Sequence, residues 1–599
     1  MKKTICLLLA IFFFCLIIDT SFLSVDSSSD LEDCHLSKIH FSAPAYGDVI
    51  IDSEDSLLFR LEELKGFVTY SSESNDELIL SIEFNYSISD SIDYLNIISK
   101  KDRIESHEER LSFRKELNDF SKAYHQGKTA YYLEQLDPFT FNSQCIVNYS
   151  PFVVYSMDPE NVSLELLEYL SSCEFIYTVF LSLEPVTVDS ASWTKTLEID
   201  GAYDIVSSGD YDGSFFRVGI YESGGVCDVN HTNLEDVDIT IHDPTSDVTD
   251  HATAVTSVLA LIVPNASYYV RTISNNGFSW FLDNYCDVVN CSFHYNFAIE
   301  NGDNTYSPGI PSYGSFERTL DYQIRHHLVS VFASAGNYNN DNTSPGYNPN
   351  GVVGSPGIVY NVITVGGVNR SYSSGHYVIN HEPGACYVSS TPYVKPEISA
   401  VYSVNIPNIG VNHGTSFAAP QAAACAVIMM DIERPYWLDP VYVKSALMTA
   451  ADKTDDYVAD RGNFSNKVGA GHINLDRVFS IDTYQYYTNY LDHTYNSGVT
   501  VIDKNIYLTA NSELQTSLAY YSFVLSNDSN YNYVTDYDIR IYNSSNVLVA
   551  SSSLNNTSNV ELVRYLAPSS GSYRVTVYRY STVYSLNDRD YIMLTITSH

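Results

Sequence analysis

The segment Gly414-Thr415-Ser416-Phe417-Ala418-Ala419-Pro420, running into the small apolar stretch Gln421 to Met430, sets a serine beside a glycine at the start of a helix. A serine hydroxyl is a poor nucleophile until a base takes its proton, and a helix N-terminus offers N–H groups and a positive dipole end to the oxyanion formed by attack on a carbonyl. The glycine lets backbone approach the substrate closely. By spacing alone the same residues also describe an ordinary capped helix, and both readings stand at this point. His326-His327, ahead of an apolar run, reads as a helix end rather than a metal pair. No His-Glu-x-x-His occurs, so no catalytic metal is expected.

Such a serine needs a scaffold, and the middle of the chain supplies the pattern of one. Short apolar runs at Val218-Gly219-Ile220, Val288-Val289, Leu328 to Phe332 and Val362 to Val365 read as buried parallel strands. Helical stretches lie between them, with Val255, Val258, Leu259 and Ile262 at helical spacing and Asp439-Pro440 opening another helix. The alternation predicts a doubly wound, mostly parallel α/β sheet. Ahead of it, Phe152 to Tyr155, Val162 to Leu170 and Phe175 to Leu183 read as strand, helix and strand, the end of an α+β unit. Lys100 to Lys115 mixes both charge signs at helical spacing and reads as a solvated helix face. After about residue 485 strict alternation takes over, as in Tyr573 to Tyr578 and Asp538 to Ile541. It predicts a β-sandwich of about 110 residues.

The 599 residues carry 32 Lys+Arg against 72 Asp+Glu, a formal charge of −40, in a composition that is 45% hydrophobic. An acidic globular chain of about four domain lengths is thus expected, and binding to nucleic acid or to an anionic membrane is excluded as its business. Met1-Lys2-Lys3 followed by the uncharged Ile5 to Ile18 has the form of a secretory signal peptide, and predicts export to the medium or the cell surface. The cysteines are too sparse for a disulfide scaffold, so buried thiols are expected.

The serine segment resembles the serine motif of the subtilisin family of serine proteases. Three further segments match in order. His251-Ala252-Thr253-Ala254-Val255 resembles the family's histidine motif, and Val331 to Asn337 resembles the strand and turn carrying its oxyanion asparagine. Arg217 to Gly225 resembles the acid motif, but Glu222 stands where the family has aspartate. Supporting similarity at Asn361 to Gly367, Lys395 to Ile398 and Gly469 to Asn474 extends the resemblance over about residues 190–480. Ala252, Glu397 and Phe417 replace a usual glycine, aspartate and methionine. The resemblance implies Ser416 as nucleophile, His251 as base, Glu222 as orienting acid with Asp228 as its substitute, and Asn337 as oxyanion donor. It also implies substrate contacts at Ser292, Phe293, Ser334, Ala335 and Gly336, with a pocket narrowed by the bulky Phe293, His294 and Tyr295.

The resulting expectation is a secreted serine endopeptidase made as a zymogen. Its parts are a signal peptide (1–25), an inhibitory α+β prodomain (26–188), a subtilisin-like catalytic domain (189–482) and a C-terminal β-sandwich (485–599), with self-cleavage between Leu181 and Trp193. Its partners would be protein or peptide substrates and its own prodomain as intramolecular inhibitor, and it would act as a monomer. No cofactor is expected. The family often binds structural calcium, for which Asp210-Tyr211-Asp212 and Asn339 to Asn342 have suitable oxygens. The alternative is a secreted or surface binding protein that keeps the fold without activity.

Overall fold

The apolar runs of the middle of the chain become one eight-stranded sheet, in the computed structural model of the protein. Its order is His376–His381, Ile363–Ser373, Ser330–Ser334, Val288–Cys291, Arg217–Glu222, Ser267–Thr272 and Ile239–Ile241, with Ile398–Val401 also paired to Ile363–Ser373. Every pairing is parallel except that of His376–His381. The expected doubly wound, mostly parallel sheet is therefore present. Glu222, Cys291 and Ser334 end their strands along one edge of it, where the strands' carboxyl ends open a crevice. Two apolar helices, Asp250–Ile262 and Thr415–Ile432, pack together within the main hydrophobic core. Thr415–Ile432 is apolar on every side, the mark of a helix with no solvent face.

The structure describes residues 39–43, 47–50, 78–136, 149–157, 162–183, 186–187, 211–487, 498–522, 535–581 and 591–599, apart from 275–276, 296, 302–304, 374–375, 390–393, 553 and 555–557. The expected signal peptide, Trp193, Asp210, Cys34 and Cys145 lie outside the described residues.

Toward the N-terminus a five-stranded sheet has the order Gly47–Ile50, Ile39–Ala43, Ile176–Leu183, Leu78–Phe84 and Phe152–Met157. The 28-residue helix His107–Glu134 belongs to this region and opens with a capping box between Ser106 and Glu109. Here the expectation of a solvated helix face over Lys100 to Lys115 holds for Glu108, Glu109, Ser112 and Lys115, which are exposed, but not for the opposite face. Arg110, Phe113 and Arg114 are buried against the central domain, because that domain offers a carboxylate, Asp287, to both arginines. Charge spacing shows a helix, but not what its face meets.

At the C-terminal end two four-stranded antiparallel sheets enclose a second apolar core. The helix Pro440–Ala450, buried throughout, lies against two of their strands, Glu513–Tyr520 and Tyr591–Ser598. Ser445 and Thr449 share hydrogen bonds with Ser517 and Thr595 across that contact.

Candidate active site

Glu222 is the last residue of its strand, walled by the neighbouring strands Ser267–Thr272 and Val288–Cys291, and is completely buried. His251 is in the first turn of the helix Asp250–Ile262. That turn is held by Thr249, whose hydroxyl accepts from the Ala252 N–H at 3.1 Å while its carbonyl accepts from the Thr253 hydroxyl at 2.8 Å. This placement brings His251 Nδ1 within 2.8 Å of Glu222 Oε2, the N–H donating to the carboxylate. The ring of Phe417 stands 5.6 Å from the imidazole, so the two helices meet where the base sits.

The serine helix begins from Gly414 at φ 132°, a conformation that an L side chain rarely adopts, and a Cβ there would stand 3.0 Å from Asn337 Nδ2. Pro420 in this helix has no N–H, so the carbonyl four residues earlier, that of Ser416, has no intrahelical donor. Ser292 Oγ donates to it at 2.7 Å, and Ser416 Oγ donates in turn to the Ser292 carbonyl at 3.2 Å. The nucleophile helix and the strand end at Ser292 are thereby stitched together. Asn337 Oδ1 accepts from both the N–H and the hydroxyl of Thr415, at 3.0 and 3.2 Å, leaving its amide Nδ2 as a donor next to Gly414. The Thr415 hydroxyl also accepts from the Gly336 N–H. Glu222 and His251 are thus joined directly, while Ser416 and Asn337 are bound into one unit through Ser292 and Thr415.

The family model described as the subtilase family matches residues 230–471, a span that contains His251, Asn337 and Ser416 and begins just after Glu222. The matched region is a subtilase domain, and the protein is a serine-type peptidase. Among solved structures, the prenylagaramide maturation protease PagA is 19% identical, with 47% of this chain and 97% of that chain covered and a TM-score of 0.33. The patellamide maturation protease PatA is 19% identical over 44% of this chain and 96% of that one, with a TM-score of 0.32. Fervidolysin from Fervidobacterium pennivorans, a keratinolytic enzyme related to subtilisin, is 13% identical over 83% of this chain and 77% of that chain, with a TM-score of 0.40. No curated protein sequence matches.

Within the subtilase domain the carboxyl of Glu222 is pushed above the ordinary glutamate range by burial, against the pull of His251. Among the described residues its Oε1 finds no hydrogen-bond donor, so the imidazole is what offsets the desolvation. Cys227 and Cys291 lie near it as buried thiols. Burial raises both and the Glu222 charge raises them further, Cys227 to about 11, so they stay protonated. Asp228 is turned elsewhere: its Oδ1 accepts from the Asn230 N–H at 3.0 Å.

The expected substrate wall divides by residue. Phe293 is fully buried with its ring edge-on to Tyr221 at 5.5 Å, so its side chain belongs to the core and only its backbone fronts the cleft. Ser334, Ala335 and Gly336 are buried, with the Ser334 hydroxyl donating to the Phe293 carbonyl at 3.5 Å and the Ala335 N–H to Val365 O at 3.0 Å. The side chain that enters is His294: its Nδ1 lies 3.7 Å from where a Cβ on Gly336 would be, and its Cβ 2.9 Å from the same point on Gly354. Thr415 escapes a reading of the sequence, whereas the bulk of His294 in the substrate strand already points to a narrowed pocket.

In the oxygen-rich loops the two described acids cap their own turns. Asp212 Oδ1 accepts from the N–H and hydroxyl of Ser214, and Asp341 Oδ1 from those of Thr343, each capping its own turn. Among the described residues no three His, Cys, Asp or Glu side chains cluster to hold a metal.

Proposed function

We propose that this subtilase is a secreted endopeptidase made as a zymogen, with Glu222 completing a Ser416-His251-Glu222 triad. The contact of 2.8 Å between His251 Nδ1 and Glu222 Oε2 carries the reading. The carboxylate holds the imidazole in the tautomer whose Nε2 can take a proton, and stabilises the imidazolium that results. Ser416 Oγ, resting on the Ser292 carbonyl, turns to His251, loses its proton and attacks the peptide carbonyl. Asn337 Nδ2 and the Ser416 N–H, a first-turn donor without an intrahelical acceptor, take the oxyanion. His251 returns the proton to the leaving amine, and water releases the acyl group by the same steps in reverse.

Support for a self-blocked precursor is the antiparallel pairing of Val186–Thr187 with His294–Tyr295, in the register Thr187 to His294 and Val186 to Tyr295. A segment of the chain's own N-terminal region thus lies along the strand leading from Ser292, as a bound peptide would. Cleavage is expected C-terminal to Thr187 and before Trp193. The reading as an inactive scaffold is not favoured, since the family match over residues 230–471 supports a serine protease.

Fluorophosphonate labelling followed by peptide mapping tests this reading. Stoichiometric adduct on Ser416, absent from Ser416→Ala, is expected once the N-terminal region has been cut. A folded, cut protein that takes no label would refute it.

A further inference from the structure

Two of the contacts between the N-terminal region and the subtilase domain differ greatly in weight. At the cleft the contact is the two-residue strand Val186–Thr187. The other contact lies at the opposite edge of the sheet. Asp287 directly precedes the strand Val288–Cys291, and Arg217 opens the strand that Glu222 ends, five residues or about 17 Å away at about 3.3 Å per residue. There the helix His107–Glu134 lays Arg110 and Arg114 on Asp287, which is 1% exposed and also accepts from the Arg217 N–H at 3.0 Å. Arg114 further donates to the carbonyls of His327 and Leu328 at 3.1 and 3.0 Å, and Asn118 to that of Leu282 at 2.7 Å. These are backbone groups of the subtilase domain, two of them at the end of its helix Ser315–His327.

Apolar burial accompanies the polar lock. Ile88, Tyr94, Phe113 and Leu117 form one hydrophobic cluster with Tyr322, Leu328 and Leu438 of the central domain. His107 stacks within 5.1 Å of Phe215 and 4.4 Å of Trp437. On separation the ion pairs would regain water, so by themselves they hold the parts weakly and serve chiefly to set the register. The shared apolar core regains nothing. An interface built like a domain core cut in two is that of an obligate assembly.

We propose that, after the cut C-terminal to Thr187, residues 78–183 stay on the subtilase domain as a non-covalent subunit, and that only the segment bearing Val186–Thr187 is withdrawn from the cleft. This rests on the zymogen reading for the cut itself, but retention can be measured without it. In Ser416→Ala, a recognition sequence for an unrelated site-specific protease is placed between residues 190 and 200, and the folded chain is cut there. Size exclusion at neutral pH, in physiological salt and again at about 1 M, where charges are screened beyond about 3 Å, should bring both fragments through in one peak in equal amounts. An N-terminal fragment eluting by itself in either buffer overturns the proposal. In the chain with Ser416 intact and the same cut, fluorophosphonate should label Ser416 in the two-fragment peak. Labelling that appears only after the N-terminal fragment is removed also overturns it. Co-elution decides retention even where Ser416 takes no label, so failure of the catalytic reading stays separate.

Discussion

Glutamate at position 222 reaches one methylene further than the aspartate it replaces, and the structure uses that length to meet His251 from a buried strand end. Glu222→Ala should lower kcat about 10⁴-fold with little change in KM, the effect of losing a triad acid. Glu222→Asp draws the carboxylate back and should cost about 100-fold, as displacements near 1 Å can. Steady-state kinetics on a peptide substrate reads both. An aspartate variant as active as the parent would show that the longer acid is not what sets this geometry. His294 yields a prediction about selectivity. Its imidazole fills the space between Gly336 and Gly354, next to the oxyanion turn, so residues with small side chains should be preferred on the acyl side of the scissile bond. His294→Gly should shift that preference toward large apolar residues in a peptide-library assay. An unchanged profile would place the selecting pocket elsewhere.

At the scale of elements, the helices are positioned by caps that are plain in sequence and by contacts that are not. Asp439 ahead of Pro440 is legible as an N-cap. The use of Ser292 to satisfy the carbonyl that Pro420 orphans is not, because the two residues are distant in the chain and meet only when the helix docks on the sheet. The long N-terminal helix gives a pH prediction. His327 is buried beneath it, Nδ1 at 2.8 Å from Asn118 Oδ1 and Nε2 at 3.1 Å from Ser121 Oγ, with Arg114 and Tyr149 also beside it. Burial, aided by the Arg114 charge, pushes this imidazole down to about 3. The folded state therefore keeps it neutral where the unfolded chain, with an ordinary value near 6.5, already binds a proton. Its contribution is complete above about pH 6.5 and is lost toward pH 3, by about 1.4 kcal/mol per pH unit. Thermal melts of native protein and His327→Asn between pH 7 and pH 4 should show a lower melting point for the variant at pH 7 but a shallower decline. Parallel declines would mean that His327 is not protected from protonation.

Across the whole molecule, the C-terminal sheets and the subtilase domain share the helix Pro440–Ala450. Each of its residues is buried, and Ser445 and Thr449 find hydroxyl partners only on the sheet beyond. Ending the chain at Ile481 should bare that helix and strip those partners. We expect a drop of at least 10 °C in the melting temperature followed by circular dichroism, equivalent to a few kcal/mol in a chain of this size. An unchanged melt would make the tail an independent unit.

Sequence alone determined the strands, the capped helices and the segments bearing Ser416, His251 and Asn337, because apolar period, caps and motif spacing are properties of neighbouring residues. Tertiary structure decided what those segments meet. Glu222 and His251 are 29 positions apart, and Asn337 and Thr415 are 78 apart, so neither contact exists until the strands are in register. The same holds for Arg110 and Arg114, whose spacing suits a wet surface or a buried lock equally well. Only Asp287 across the interface chooses between them, since a charge leaves water where a partner and a hydrogen-bonding geometry wait for it.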